Sequence, residues 1–510
     1  METSRGELSF FGNKTAELFS LAIKKSLAGV LENNFQYGPD ENIRGFVSAS
    51  VEGRPWHNTM WSRDAGVFLR ELAQWGYFEH AVLLAQNLIR LVRKNKDGYY
   101  TFPMYFKYGE PGCGSELDGT GAIVIALVLL WKRLPEKSEA KRLIYDFLFS
   151  EASPLSYILN MLDKYPLIPG SGEFGGGMDV DGEYFNAVQN FLVYCALASA
   201  ESMAEYAQNK ESAELLRNKE ALLLSNIEKY FIGSDRSWIW CIDPATMKAD
   251  PDVLNFRTNK GFAGINGISA MYSDVFGFDP LGSQWKYADI CKNTFDVLLS
   301  NPQRRCQYEK YGIFTQFEEL HGGYLSSPSY GQGYAIQHTL LYDLSNLYEK
   351  LIGFLVNSTF DVPEGYHLDR KYDYYFYERI MSPDFFAQSP NPAEKFDQGC
   401  GALNLVNVCE PLKIARLIAG VDDSDKNILK IIPRLPDGWI GFELKNWPVL
   451  TGMSLIRADI LLEKDYDRYN FKLQFNDPVP RLEIVLNLPD GKLSRYPFEN
   501  VRNTTLRIQL

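Results

Sequence analysis

Residues 54–71 of the 510-residue chain read RPWHNTMWSRDAGVFLRE. Two tryptophans and an arginine–aspartate pair stand directly before an apolar pattern that predicts a helix over residues 65–75. Asp64 could cap this helix by accepting backbone N–H bonds. Arg63 and Asp64 could instead bind sugar hydroxyls, which need a donor and an acceptor held rigidly beside an aromatic face. The two nearby tryptophans favour the second interpretation and predict a sugar-binding cluster of Trp56, His57, Trp61, Arg63 and Asp64.

Three further loops have the same position, directly before a predicted helix. In CGSELDGTG (residues 113–121), Glu116 and Asp118 either stabilise a helix dipole or bind sugar hydroxyls. PGSGEFGGGMDVDGEYFN (residues 169–186) combines glycines with the carboxylates Glu173, Asp179, Asp181 and Glu183. SPDFFAQSPNPAEKFDQGCG (residues 382–401) contains Asp384, Glu394 and Asp397. Taken alone, this last stretch would be a solvated acidic loop.

Repeated helical patterns organise most of the chain. Residues 14–420 contain about a dozen of them, separated by loops rich in glycine, proline and acidic residues. Helices of similar length, joined by alternating short and long loops, predict a toroid of six helical hairpins. In such a toroid the four loops can converge on one mouth.

The pattern changes near residue 430. IIPRLPDGW (residues 431–439) introduces prolines and a turn, and strands with a period of two residues follow. Turns are predicted at residues 476–480 and 489–492. We therefore predict a helical domain over residues 1–428 and a small all-β, sandwich-like domain over residues 429–510.

Composition narrows the possible partners. The 52 basic and 64 acidic residues leave a net charge of −12, which argues against nucleic acid as the main partner. The first ten residues lack the pattern of a signal peptide, and the longest apolar run, residues 122–131, is too short for a membrane span. We therefore expect a cytoplasmic protein.

The seven cysteines show no metal-ligand spacing, so no metal or other cofactor is expected.

Two motif matches in the glycine-rich loop are incomplete. Gly170, Gly172 and Gly175 fit G-x-G-x-x-G, but prolines precede them instead of a clean strand, and more glycine follows instead of a helix. Asp179 and Asp181 have the spacing of a calcium loop, but no downstream ligands complete an EF-hand. Neither nucleotide nor calcium binding is predicted.

Glycoside hydrolysis requires two carboxylates that face each other across a cleft. One protonates the leaving oxygen, and the other activates water or attacks directly. Convergence of the loops would supply such a pair from the mid-chain loop and from residues 382–401.

Four stretches resemble one group of enzymes. WSRDAGVFLREL resembles the W-x-R-D segment of six-hairpin, (α/α)6-barrel glycosidases, which include glucoamylases, processing α-glucosidases and trehalases. SELDGTGAIVIAL resembles a glucoamylase-like helix start, with Glu116 where glutamine is usual. EKFDQGCGALN resembles the segment that carries the base in the α-glucosidase relatives. IIPRLPDGW with its strands is similar to the C-terminal β-domain of α-L-rhamnosidases.

The resemblance implies a mainly α fold, an (α/α)6 toroid with a small C-terminal all-β domain. It implies that Arg63 and Asp64 hold the sugar in subsite −1 with Trp61 beside it, and that Glu394 is the general base. Glu173 is the first choice for the proton donor. The usual tryptophan-flanked acid motif is replaced by Phe174 and glycines, so three other carboxylates of that loop stay open as donors, namely Asp179, Asp181 and Glu183.

The resemblance further implies an inverting mechanism, with carboxyl groups about 6.5–9.5 Å apart. We predict an exo-acting hydrolase for an α-linked glycoside of an oligosaccharide or small glycoconjugate. One alternative is a polysaccharide lyase or sugar epimerase, for which His57 and His321 lie in suitable loops. Another is a non-catalytic carbohydrate-binding protein, which would need no proton donor. The oligomeric state is left open.

Overall fold

The protein is described by a computed structural model. The described residues are 5–40, 43–52, 56–108, 110–112, 114, 117–170, 184–249, 266–282, 285–314, 325–326, 331–360, 376, 380–381, 403–452, 454–465, 468–487 and 493–509.

Within these ranges the chain forms fourteen helices. They are α1 (Lys14–Asn33), α2 (Ser62–Gln74), α3 (Phe78–Leu91), α4 (Leu117–Arg133), α5 (Glu139–Leu148), α6 (Pro154–Lys164), α7 (Ala187–Tyr206), α8 (Lys210–Phe231), α9 (Gly267–Phe276), α10 (Ala288–Ser300), α11 (Pro302–Tyr311), α12 (Gly331–Leu341), α13 (Ser345–Phe360) and α14 (Leu405–Ala419).

Six of these helices form a closed inner ring. Helix α2 packs on α4, α4 on α7, α7 on α9, α9 on α12, α12 on α14, and α14 returns to α2. The remaining helices lie outside this ring, and each inner helix follows one or two outer helices in the chain. The predicted toroid of six hairpins is confirmed.

Burial explains which helices lie inside. In α4, sequence LDGTGAIVIALVLLWKR, and in α7, almost every side chain is buried, because neighbours cover these helices on all sides. The outer helix α8 buries only one stripe, at Ala213, Leu216, Leu223, Ile227 and Phe231.

Small residues let the inner helices approach closely and show their direction. A Cβ atom on Gly66 would lie 2.8 Å from the Ile123 nitrogen, and one on Gly121 would lie 3.0 Å from Leu192. Each contact joins the early turns of neighbouring helices. Gly267 and Tyr334 likewise join the first turns of α9 and α12. The inner helices therefore run parallel, with their N-terminal ends at one end of the ring.

Two segments predicted as single helices are each two helices. Residues 138–164 contain α5 and α6, and the break lies before Ser153, whose hydroxyl caps α6, and Pro154 at the first helical position. Residues 330–356 contain α12 and α13. The break there includes Asp343, with a positive φ of 55° that a helix does not accommodate.

The described strands are mostly short, apart from those near the C-terminus. They are β1 (Glu7–Phe11), β2 (Thr59–Trp61), β3 (Arg93–Lys94), β4 (Tyr100–Thr101), β5 (Tyr105–Lys107), β6 (Glu110–Pro111), β7 (Phe185–Asn186), β8 (Cys241–Asp243), β9 (Lys248–Ala249), β10 (Leu325–Ser326), β11 (Ile380–Met381), β12 (Val421–Asp422), β13 (Leu429–Ile431), β14 (Gly441–Thr451), β15 (Ser454–Asp465), β16 (Arg468–Asn487) and β17 (Leu493–Gln509).

Seven strands form the predicted C-terminal sheet, in the order β1-β14-β15-β16-β13-β12, with β17 paired to β16. All pairs are antiparallel except β13–β16. Strand β1 was not predicted, although its alternating burial, with Leu8 and Phe10 inside, is a strand pattern. The domain boundary at residue 428 stays a prediction.

The turn predicted at residues 476–480 is wrong. Strand β16 continues through this stretch, and its register against β17 shifts between Gln474 and Val479. Strand β17 pairs with β16 on both sides of the extra residues, so these residues form an irregular bulge and not a turn. Among the described helices, none combines the length and hydropathy needed to cross a membrane.

Candidate active site

The predicted sugar-binding residues that are described lie at the N-terminal end of the inner ring. Trp61 ends β2 and directly precedes α2, while Asp118 lies in the first turn of α4. Neighbouring N-terminal ends thus bring together Trp56, His57, Trp61, Arg63, Asp64 and Asp118.

Three aromatic rings form a partly exposed wall at this end. Strand pairing sets Trp61 opposite Tyr105, and their ring centroids are 5.2 Å apart. Trp56 meets Trp61 edge-on, with centroids 5.0 Å apart and an angle of 80° between the rings. All three side chains are only partly buried. Such a wall offers flat apolar faces with polar edges, which suit a sugar ring.

Arg63 joins the first turns of α2 and α4 electrostatically. Its Nη2 lies 3.3 Å from Oδ1 of Asp64, and its Nη1 lies 3.9 Å from Oδ2 of Asp118. All three residues are buried, and Asp118 is fully so. The two carboxylates therefore orient the guanidinium at the start of α2, two residues after Trp61 of the aromatic wall.

Asp64 does not act as the N-cap of α2. The helix begins at Ser62, the capping position belongs to Trp61, and no side chain caps it. Ser62 instead donates its hydroxyl to the Pro103 carbonyl at 2.5 Å. Asp118 does accept a helix N–H bond, from Gly119 at 2.8 Å, so it combines a local backbone role with its ion pair.

His57 follows Trp56 in the tight turn that leads into β2. The side chain is partly buried, and its Nδ1 atom is buried without a hydrogen-bond partner in the structure as described. The next residue, Asn58, has a positive φ of 62°, so the turn is sharp. Only the exposed part of the His57 side chain, and not its buried Nδ1, can contact a ligand.

Six predicted site residues lie outside the described residues, namely Glu116, Glu173, Asp179, Asp181, Glu183 and Glu394. The Gly170 N–H donates to the Tyr184 carbonyl at 2.7 Å, which holds the two ends of segment 171–183 together just before α7. Asn404, which follows the segment with Glu394, caps α14 by accepting from the Asn407 N–H at 3.2 Å.

Two buried amides at the same end of the ring have side chains without a hydrogen-bond partner among the described residues. Asn266 precedes α9 and is 3% exposed, and Asn407 lies in the first turn of α14 and is fully buried. In the part of the chain that the structure describes, neither the oxygen nor the nitrogen of either amide is hydrogen-bonded. Buried amides of this kind need a polar partner, which at the mouth of a cleft can be a ligand, and sequence reasoning missed both.

A buried network of charges lies deeper along the ring. Arg70 contacts Glu71 at 2.7 Å, Asp274 at 3.0 Å and Glu410 at 3.3 Å. Lys413 contacts Asp274 at 2.7 Å. The network was missed, although charges spaced three apart in the otherwise apolar helix α14 were a signal for it: Glu410, Lys413 and Arg416.

The network holds the carboxylates of Glu71 and Asp274 ionised despite burial. Burial alone would raise the pKa of Asp274, but Arg70, Lys413 and Arg416 lower it below its usual value. Burial likewise lowers the pKa of Lys413 to about 8, although Asp274 opposes that shift. The net effect is a rigid, charge-balanced core beneath the candidate site.

A small cavity lies between the Arg63 cluster and the buried charge network. Its volume is about 30 Å³, enough for one or two waters. Arg63 lines it near the N-terminal end, and Arg70 and Asp274 line it deeper in the ring. The described residues contain no group of three or more histidine, cysteine or acidic side chains arranged to hold a metal ion.

Comparisons with known sequences give no match, neither to a protein-family model nor to a curated protein. Solved structures do match. A glucoamylase from Saccharomycopsis fibuligera aligns with a TM-score of 0.57 and 13% identity, over 80% of this chain and 96% of its own. An α-L-rhamnosidase from Aspergillus terreus aligns with a TM-score of 0.56 and 11% identity, over 99% of this chain.

This chain spans only 50% of that rhamnosidase, which is therefore a longer protein. A D-mannose isomerase also aligns, with a TM-score of 0.50 and 15% identity, over 79% of this chain and 98% of its own. At such identities the likeness establishes the fold, a helical toroid followed by a β-domain as in six-hairpin glycosidases. The fold implied by the sequence motifs is confirmed.

Proposed function

We propose that the protein is a glycoside hydrolase whose active site lies at the N-terminal end of the inner ring. The observation that carries this proposal is the position of Arg63. Two carboxylates, Asp64 and Asp118, orient its guanidinium, and Trp61, two residues earlier in the chain, belongs to the aromatic wall of Trp56, Trp61 and Tyr105. A fixed donor fork beside a flat aromatic face is suited to recognition of a sugar.

Chain connectivity supports the positions of the two catalytic carboxylates. Segment 171–183 directly precedes α7, and the segment with Glu394 directly precedes α14. Both helices belong to the inner ring, whose N-terminal ends share one end of the toroid. Residues that enter these helices are therefore suited to face the Arg63 cluster.

In the proposed reaction Glu173 protonates the leaving oxygen, and Glu394 activates a water on the opposite face of the sugar. A separation of about 6.5–9.5 Å between the carboxyl groups would leave room for that water and invert the anomeric configuration. The substrate is an α-linked glycoside cleaved from a chain end. Asp179, Asp181 and Glu183 are the other proton-donor candidates.

A sugar isomerase is the second candidate, because a D-mannose isomerase has a similar structure. An isomerase moves a proton within a free sugar and cleaves no glycosidic bond. Solvent deuterium would therefore enter the sugar during isomerisation, whereas hydrolysis would release a new reducing end.

The test is a panel of aryl and natural α- and β-glycosides and of free aldoses, followed by NMR in deuterated buffer. We expect release of a sugar with inverted anomeric configuration. Glu173→Gln and Glu394→Gln should each lower kcat at least ~10² fold and retain sugar binding, while the surface control Glu139→Gln should keep full activity. Retained configuration, or deuterium uptake without cleavage, would overturn the proposed reaction.

A further inference from the structure

A cavity of about 1460 Å³ lies at the opposite end of the toroid from the Arg63 cluster. The C-terminal turns of five inner helices line it, through Gln74 of α2, Arg133 of α4, Tyr206 of α7, Phe276 of α9 and Arg416 of α14. Helix α8 and the segment 421–427, which leads into the sheet, complete its walls. We call this space the C-terminal cavity.

Helix ends make the C-terminal cavity electronegative. The C-terminal end of a helix carries about −0.5 elementary charge, because its last carbonyl groups have no partner within the helix. Parallel packing of the inner ring directs five such ends to the same space. A cation is the ligand that this arrangement stabilises.

Most guanidinium groups around the C-terminal cavity are already neutralised by neighbouring carboxylates. Arg133 binds both carboxylate oxygens of Asp423, at 2.8 and 2.9 Å. Arg217 contacts Glu201 at 2.5 Å and also Glu205. These pairs offset the guanidinium charges, and the other cations of the lining are Lys132 and the exposed Lys210 and Lys426.

Two carboxyl groups of the lining that form no ion pair within the described ranges have raised pKa values, Glu220 on α8 and Asp422 after α14. Burial raises the pKa of Glu220 to about 7, and Glu201 adds to the shift, against Tyr194 and Arg217. Burial also raises the pKa of Asp422, whose carboxylate accepts the Phe278 N–H at 2.8 Å. Glu220 is therefore a carboxyl whose ionised form an added cation would stabilise, beyond the partial stabilisation that Arg217 gives.

Lys132 is the amine that faces this space from α4. Its Nζ donates to the Ser202 hydroxyl at 3.1 Å. Burial, together with Arg133, lowers its pKa to about 8. Lys132 can therefore lose its proton at little cost when a second cation enters.

We propose that the C-terminal cavity binds an organic cation with one or more ammonium groups, and that Glu220 is its main counter-charge. The volume suits an organic molecule, and the rings of Tyr206 and Phe276 offer cation–π contacts. A bare metal ion fits less well, because the described residues include no cluster of metal-ligand type. The site is separate from the Arg63 cluster.

The experiment is isothermal titration of the full chain with spermidine at pH 8, with sodium chloride at matched ionic strength as the blank. We expect one saturable site. Glu220→Gln should weaken binding about tenfold, equivalent to about 1.4 kcal/mol. The exposed control Glu151→Gln should bind as the unaltered protein does, and Ala198→Trp, which fills the cavity from α7, should abolish binding.

Binding should be weaker at pH 6, because Glu220 is then protonated. The titratable and charged groups that act on Glu220 are Tyr194, Cys195 and Glu201 on α7 and Arg217 on α8. Lys132 and Arg133 on α4 and Glu205 on α7 line the same cavity. Absence of a saturable site would overturn the proposal. Equal weakening by Glu220→Gln and Glu151→Gln would also overturn it, because that result would indicate unspecific attraction to an acidic protein.

Discussion

Arg416 and Glu71 form a two-bond ion pair that closes the inner ring between its last helix, α14, and its first, α2. Nε of Arg416 lies 2.9 Å from one carboxylate oxygen, and Nη2 lies 2.7 Å from the other. Trp75 donates its indole N–H to the same carboxylate at 3.2 Å. Both charged side chains are almost fully buried, so neither can be solvated if its partner is removed.

Loss of one partner should therefore be costly. We expect Arg416→Met to lower the free energy of unfolding by about 3–5 kcal/mol, because Glu71 would be left as a buried charge with only Arg70 beside it. Urea denaturation followed by circular dichroism measures this change. The matched control is Arg236→Gln, which breaks an exposed ion pair with Asp289 and should cost less than ~1 kcal/mol. Equal losses in both variants would contradict the role assigned to the pair.

Close approach of α2 and α4 depends on Gly66. A methyl group there would lie 2.8 Å from the Ile123 nitrogen and 2.9 Å from the Ala122 Cβ. Gly66→Ala should destabilise the protein by about 1–3 kcal/mol, because the two helices would have to separate. Thermal unfolding by calorimetry measures it.

Gly353 on α13 is the control for this prediction. It is also helical, but a methyl group there meets nothing within 4 Å. Gly353→Ala should stabilise the protein by about 0.4–1 kcal/mol, through the lower entropy of the unfolded chain. If both variants destabilise equally, helix spacing is not what Gly66 provides.

The helical toroid could be predicted because loop-then-helix patterns recur along the chain, whereas long-range pairings could not. Arg70 and Glu71 look like ordinary polar positions of an amphipathic helix, and nothing local shows that α9 and α14 supply their partners. Strand β1 is only five residues long and pairs with a strand more than 400 residues away. The asparagine and prolines at the bulge of β16 predict a turn from the sequence, because these residues are common both in turns and at irregular points of strands.

For the candidate site, the sequence predicted the Trp61–Arg63–Asp64 cluster from its composition, and Asp118 from its place at a helix start. Asn266 and Asn407 could not be predicted, because an amide attracts attention only once its burial and lack of partners are known. Their burial depends on the packing of α9 and α14 in the ring. The pairing of Glu173 with Glu394 stays a prediction.

Stability should depend on pH through Glu220. Its pKa is raised from 4.5 to about 7 in the folded protein, so between these values the folded state binds more protons than the unfolded state. The contribution of Glu220 to stability must then fall as pH rises from about 4.5 to 7. Glu220→Gln removes this term, and above pH 7 the variant should be more stable than the unaltered protein by about 1 kcal/mol, after allowance for solvent screening.

The difference between the two proteins is the quantity to measure, because burial lowers the pKa of His338 from 6.5 to about 3, which gives the opposite slope near pH 6.5. Urea denaturation at pH 5, 6, 7 and 8 gives this difference. A difference that is constant with pH would show that Glu220 titrates normally.

Arg63 should be required for turnover if the proposed hydrolase function is correct. Arg63→Lys keeps the positive charge but loses the planar fork that Asp64 and Asp118 orient, so we expect kcat/KM to fall about 10² fold. The control is Arg90→Lys, an exposed residue on α3 whose guanidinium binds only the Arg44 carbonyl among the contacts described. Its kcat/KM should not change. Circular dichroism melting separates a lost contact from a lost fold, and full activity of Arg63→Lys with an unchanged melting temperature would exclude Arg63 from substrate recognition.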